Sequence, residues 1–297
     1  ALSEAYALAS GLHSKQPAVP KYAALLAEVH DERGVVYADL GEIEKAEKSR
    51  LETVNLWRQI FEAAPQPEYE HELAASHNDL GFFYRRVDKD DQAREHFEKA
   101  RQIWQRLSSE EELIAKYAAG VAGCDYILGI LELESGNFSE AEGFLVAAEG
   151  RRRHLAERHA QLPEYQNDLA DSLDSIGRLF HARQQLDQAE QEYRTPLVIR
   201  EDLRNRFPGI PKYEVAYAAS QLNLGKLYND GQRFAEATDC SRIAIDGLEQ
   251  VVEANPNDVK HRDALAGAYY VLALSLASSG EPAEETPEGK VQRSRRT

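Results

Sequence analysis

A leucine–glycine step returns along the chain at a fixed interval, and no other feature limits the possible folds so tightly. Leu80-Gly81, Leu128-Gly129, Ile176-Gly177 and Leu224-Gly225 follow one another with a constant offset of 48. A tyrosine stands at one fixed interval before each glycine (Tyr69, Tyr117, Tyr165, Tyr213), and an alanine at the same interval after it (Ala93, Ala141, Ala189, Ala237). An earlier copy runs Tyr22, Gly34, Ala46, offset by 47, and a sixth opens at His261 with Ala273 in the glycine slot. Self-similarity on this scale marks a solenoid, whose units pack only on their neighbours. One elongated array therefore replaces the pair of domains that 297 residues would otherwise suggest.

Within a unit the apolar positions recur at three and four. Leu73, His77, Leu80, Gly81 and Tyr84 form one stripe, and Phe97, Ala100, Ile103, Trp104 and Leu107 form another. This is helix spacing in both halves, interrupted by the polar stretch from Asp88 to Asp91. In other copies the interruption holds Gly41, Gly136 or Gly231, each suited to a left-handed helix end. Segments such as Ala64-Pro65-Gln66-Pro67 and Phe207-Pro208-Gly209-Ile210-Pro211 stop one helix and set up the next. Each unit thus predicts two antiparallel helices of about 18 residues. Seven residues before each glycine slot stands an alanine (Ala27, Ala74, Ala122, Ala170, Ala218, Ala266), and the small column extends to Ser76 and Cys124. Such a row of small residues lets a neighbouring helix approach closely. Pro196, in a slot that other copies fill with alanine, predicts a kink in the fourth unit's second helix.

His77-x-x-Leu80-Gly81-x-x-Tyr84, followed by Ala93-x-x-x-Phe97 and Ala100, resembles the tetratricopeptide pattern with His77 in place of the usual tryptophan. Leu173-x-x-Ile176-Gly177-x-x-Phe180 with Ala189-x-x-x-Tyr193 is similar, as is Leu224-Gly225-x-x-Tyr228 with Ala237. The period exceeds the roughly 34 residues of the common repeat. Such long units resemble those of kinesin light chains, and also the arrays that follow the catalytic domain in some large bacterial serine/threonine kinases. The expected fold is all-α, an α-solenoid of antiparallel helix hairpins forming a right-handed superhelix over 1–280. It divides into a partial repeat at 1–19, repeats at 20–66, 67–114, 115–162, 163–210 and 211–258, and a partial repeat at 259–280. Residues 281–297 lack apolar periodicity and are expected to be disordered.

Composition narrows the functions. Acidic residues outnumber basic ones 51 to 35, giving −16 at pH 7, which argues against a nucleic-acid partner. No apolar run approaches the roughly 18 residues of a membrane span. Two cysteines form no CxxC and no disulfide framework, consistent with reduced thiols and a cytoplasmic location. Cys124 falls in the small column and predicts packing, whereas Cys240 lies in a mixed column and predicts partial exposure. Methionine is absent even at position 1, and Ala5 and Leu12 stand in second-helix register, so the chain is expected to be a fragment of a longer protein.

The sequence carries few groups arranged for chemistry. His261-Arg262-Asp263 spells a kinase catalytic-loop triplet, but Ala268 stands where an asparagine is required, and no Asp-Phe-Gly accompanies it. His154 and His159, five apart, do not share a helix face. No catalytic residue, cofactor or metal is expected. Arg151-Arg152-Arg153-His154 is expected to lie on a solvated convex face.

The resemblance implies that first helices line a concave groove, with ligands touching positions three and two before the glycine and one, four and five after it. In the second repeat these are Asn78, Asp79, Phe82, Arg85 and Arg86. The fourth supplies Asp174, Ser175, Arg178, His181 and Ala182, and the fifth Leu222, Asn223, Lys226, Asn229 and Asp230. The third, from Tyr126 to Glu134, is mostly apolar. Arg and Lys suit a peptide carboxylate, Asn its backbone, and the apolar patch a hydrophobic anchor. The expectation is a non-catalytic scaffold that holds a protein or peptide. The alternatives are the C-terminal regulatory or substrate-recruiting region of a signalling enzyme, above all a bacterial serine/threonine kinase, and an array that self-associates through uncapped ends.

Overall fold

The computed structural model describes residues 1–110 and 115–279, and the expected disorder of 281–297 lies outside them. The described residues form twelve α-helices in sequence: α1 (Leu2–Lys15), α2 (Pro20–Asp39), α3 (Ile43–Ala63), α4 (Pro67–Arg86), α5 (Asp90–Glu110), α6 (Ala115–Glu134), α7 (Phe138–Arg158), α8 (Pro163–Ala182), α9 (Leu186–Arg206), α10 (Pro211–Asp230), α11 (Phe234–Ala254) and α12 (Val259–Ser279). Complete first helices (A) α2, α4, α6, α8 and α10 have 20 residues, and their partners (B) α3, α5, α7, α9 and α11 have 21. Both exceed the expected length, because the turns between them take only three residues. The chain divides into two compact units, Ala1–Arg151 and a second that begins at Arg152.

Local chemistry sets the helix ends. Pro20, Pro67, Pro163 and Pro211 each open an A helix behind a residue in extended backbone, where proline's fixed φ and missing N–H cost nothing. The turn from A to B contains one left-handed residue per repeat: Gly41, Asp88, Gly136, Gln184 and Gln232, with φ between 57° and 79°. Gly231 falls one residue short of this column and keeps a φ of −79°. The left-handed position in that repeat belongs to Gln232. Helix α9 runs through Pro196 without interruption, with the ring buried.

Close approach within hairpins explains the leucine–glycine step. A Cβ on Gly81 would lie 2.9 Å from the Phe97 ring, on Gly129 2.7 Å from Leu145, and on Gly177 2.6 Å from the Tyr193 ring. Phe97, Leu145 and Tyr193 hold the same place on their respective B helices. The fifth copy differs: Ser241 occupies that place, and a Cβ on Gly225 would meet nothing nearer than 3.4 Å.

In the first unit, Leu80, Phe97, Leu128 and Leu131 are among the most buried side chains, and Trp104 packs with Tyr117 and Cys124 in an adjoining cluster. In the second, Tyr193 packs with Leu224 and Leu227, and Ala218 with Leu248 and Leu272. Cys240 is buried, which corrects its expected exposure, and burial pushes its thiol up to about 11. His77, in the usual tryptophan slot, contacts His96 across the α4–α5 hairpin, Nδ1 to Nδ1 at 2.9 Å. Both rings are buried, and the Tyr84 ring lies against His96.

Candidate peptide-binding surface

The A helices present the residues that the sequence assigns to a groove. In the first unit their cations are already engaged. Arg85 Nη2 donates to Glu134 Oε1 at 3.0 Å, and Arg86 Nη1 to Asp39 Oδ1 at 3.0 Å, so each links the ends of neighbouring A helices. Asn78 Oδ1 lies 4.0 Å from the Cys124 sulfur, and Tyr126 is half-buried against the apolar core. Asp79 faces a cleft of about 530 Å³ between α1, α2, α3 and α4. Four more carboxylates line it, those of Glu28, Asp31, Glu32 and Glu72, together with Val29 and Trp57. Burial, reinforced by Asp31 and opposed by Arg50 and Asn78, pushes the Asp79 carboxyl up; burial does the same to Glu72 against Lys116, with Glu28 and Asp79 adding to it. The two arginines that the sequence assigns to the groove in the second repeat are therefore neutralised by ion pairs, and the cleft that Asp79 faces is acidic.

The second unit has the opposite character. Arg178 on α8 and Lys226 on α10 stand one repeat apart in the same register, are exposed, and enter no ion pair among the described residues. Helix α10 touches both α8 and α12. His181 Nε2 lies 2.8 Å from Asp230 Oδ2, tying α8 to α10 as Arg85 ties α4 to α6. Asn229 is half-buried, and its side-chain oxygen has no partner among the described residues. Asp174 is not presented to a ligand. It is 5% exposed and is held by Arg200, by the Ser220 hydroxyl at 2.9 Å and by Asn223. Burial pushes its carboxyl up, and those three partners oppose the shift.

The basic run before His154 is corrected by the same geometry. Arg152 is buried, donating to the Ser172 hydroxyl at 3.0 Å and the Asp168 carbonyl at 2.7 Å. Arg200, in the same column one repeat later, repeats the arrangement with the Ser220 hydroxyl and the Ala216 carbonyl at 3.0 Å, and adds ion pairs to Asp171 and Asp174. Arg151 Nη1 donates to Asp125 at 2.7 Å, a carboxylate with no exposure that also pairs with Arg101. Two of the three arginines are thus structural. The sequence carried a signal for this, because Arg152 and Arg200 share a column with Trp57, Trp104 and Leu248.

Among the described residues, no group of three or more His, Cys, Asp or Glu is placed to hold a metal, and no helix is long and apolar enough to cross a membrane.

Residues 73–111 match the family model described as tetratricopeptide repeat. With the hairpin array, this makes the chain a tetratricopeptide-type helical-repeat protein. Its structural neighbours include proteins of kinesin-light-chain type. BtubC (BKLC) from P. vanneervenii aligns with a TM-score of 0.64 at 20% identity, over 86% of this chain and 92% of that one. A putative kinesin light chain from Podosopora anserina with nearly identical TPR-like repeats aligns at 0.52 and 18%, over 76% and 96%. Aspartyl phosphate phosphatase F from Bacillus subtilis aligns at 0.54 and 16%, over 90% and 64%. At such identities the likeness is one of fold. No curated protein matches the sequence significantly. Tetratricopeptide-repeat proteins commonly bind proteins or peptides.

Proposed function

We propose that the chain is a non-catalytic scaffold whose second unit holds an extended peptide bearing carboxylates. The observation that carries this reading is the pair Arg178 and Lys226, exposed at one register on successive A helices while nearby charges such as His181, Asp230 and Arg200 are paired. Helices fixed by their neighbours need no reordering on binding, so little of the interaction energy is lost to entropy. In a fluorescence-anisotropy titration with an acetylated, amidated Glu-Asp-Leu-Glu-Asp peptide, Arg178→Ala with Lys226→Ala weakens binding about tenfold or more, at unchanged helicity and melting. Equal affinity in the double variant removes this surface from consideration.

Self-association is a second reading, supported by Leu8 on α1 and Tyr270 on α12, both standing largely in solvent; sedimentation at several concentrations tests it. The serine/threonine-kinase alternative rests on resemblance alone.

A further inference from the structure

The cleft of the first unit has no role in the proposed capture of an acidic peptide, and its chemistry is the reverse. It is an open cleft of about 530 Å³ between α1, α2, α3 and α4, lined by Trp57 and five carboxylates. Of these, Asp31 is paired with Arg50 at 3.0 Å. Glu28, Glu32 and Glu72 make no ion pair or hydrogen bond among the described residues. Elsewhere in the unit, the buried carboxylates Glu132 and Asp125 are each matched by arginine, whereas Glu28, Glu32 and Glu72 face solvent at the cleft. The cleft gathers five carboxylates over an apolar surface, with Arg50 beside Asp31 and Asp79, and Lys116 acting on Glu72.

We infer that this cleft is a docking site for a cationic segment of a partner protein, a Lys- or Arg-bearing peptide whose charged head sits among Glu28, Glu72 and Asp79 and whose aliphatic stem lies on Trp57. Long basic side chains suit this shape, because their methylene stems cover apolar surface while the head meets the carboxylates. A guanidinium above an indole gains a further cation–π term. Burial, with repulsion from neighbouring carboxylates and against the pull of Lys116 on Glu72 and of Arg50 on Asp79, holds both carboxyls above their ordinary range, so an entering cation relieves a cost already present in the free protein. This inference rests on the reading of the A helices as a binding surface and extends it to a second ligand chemistry.

The test uses the full chain and an acetylated, amidated Lys-Arg-Leu-Lys-Arg peptide, followed by anisotropy and by quenching of tryptophan emission. Glu72→Gln with Asp79→Asn should weaken binding at least tenfold without lowering the melting temperature. The matched control, Asp187→Asn with Glu201→Gln in the second unit, changes net charge equally and should leave affinity within twofold. Equal losses in both variants reduce the effect to overall charge and overturn the proposal, as does undiminished binding by the cleft variant. A chain ending at residue 280 that binds the probe more tightly than the full chain assigns the cleft to the protein's own basic residues 290–297, which also overturns the partner. Arg178→Ala with Lys226→Ala should leave this titration unchanged, so failure of either reading is seen separately.

Discussion

At the scale of single residues, the His77–His96 contact makes part of the stability depend on pH. Burial, the main cause, holds His77 down to about 3 and His96 to about 4; His96 further lowers His77, and Lys99 and Arg58 lower both against a weaker opposing pull from Glu95. Both values lie below that of an unfolded histidine, about 6.5. The unfolded chain therefore binds more protons as pH falls through 6.5, and stability present in full above that pH is progressively lost below it. At about 1.4 kcal/mol per unit for each ring, the loss between pH 7 and pH 5 is about 4 kcal/mol. Urea unfolding of the wild type and of His77→Phe with His96→Leu at both pH values measures it; a wild type that loses no more than the double variant removes the histidines as the cause. The buried arginines show how far such residues were legible. Arg152 and Arg200 stand in a column otherwise filled by Trp57, Trp104 and Leu248, and twenty residues on each meets a serine, Ser172 or Ser220, where Trp104 meets Cys124. Reading the columns in pairs would have found them, whereas reading Arg151-Arg152-Arg153-His154 as a run did not.

At the scale of helices and hairpins, the leucine–glycine step has one physical cause and therefore one exception. Gly81, Gly129 and Gly177 each lie under a large side chain of the partner helix, and a methyl group there would press into Phe97, Leu145 or Tyr193. Gly225, whose nearest neighbours would be Val271, Ala237 and Cys240 at 3.4–3.5 Å, has ordinary van der Waals room. Alanine at the first three positions should cost about 1–3 kcal/mol through overpacking. Gly225→Ala should instead raise stability by about 0.5–1 kcal/mol, because glycine is the poorer helix former. Melting curves of the four variants decide the point: a uniform loss would mean that the step serves something other than hairpin packing. The hairpins themselves were legible, since the stripes, the small column and the prolines all state the same helices. The acidic cleft was less so. Its residues Asp31 and Glu32 stand three and two before Gly34, the same columns that supplied Asn78 and Asp79, but the cleft forms only where α1, α2, α3 and α4 meet.

For the molecule as a whole, contacts between elements join near neighbours in sequence, such as α4 with α5 and α10 with α11. Stability in such an array is a sum of local terms. Acid weakening centred on His77 and His96 should therefore stay near its source. Hydrogen exchange at pH 5 should accelerate in α4 and α5 relative to pH 7, after correction for intrinsic rates, and leave α10 and α11 little changed; uniform acceleration would mean that the array unfolds as one body.

Within each unit, contacts between a B helix and the following A helix constrain the order of the repeats. Tyr84 donates to Glu47 at 2.9 Å, and Tyr228 to Glu190 at 3.1 Å. At the α5–α6 junction, in the same register, Glu132 replaces the tyrosine and Arg94 replaces the glutamate, joined at 2.9 Å. Tandem repeats invite the genetic loss or exchange of whole units, but excising residues 67–114 would set Glu132 against Glu47, two carboxylates face to face. The repeats share one register, yet at the α5–α6 junction they are not interchangeable: Glu132 is matched to Arg94 and would meet a like charge in Glu47.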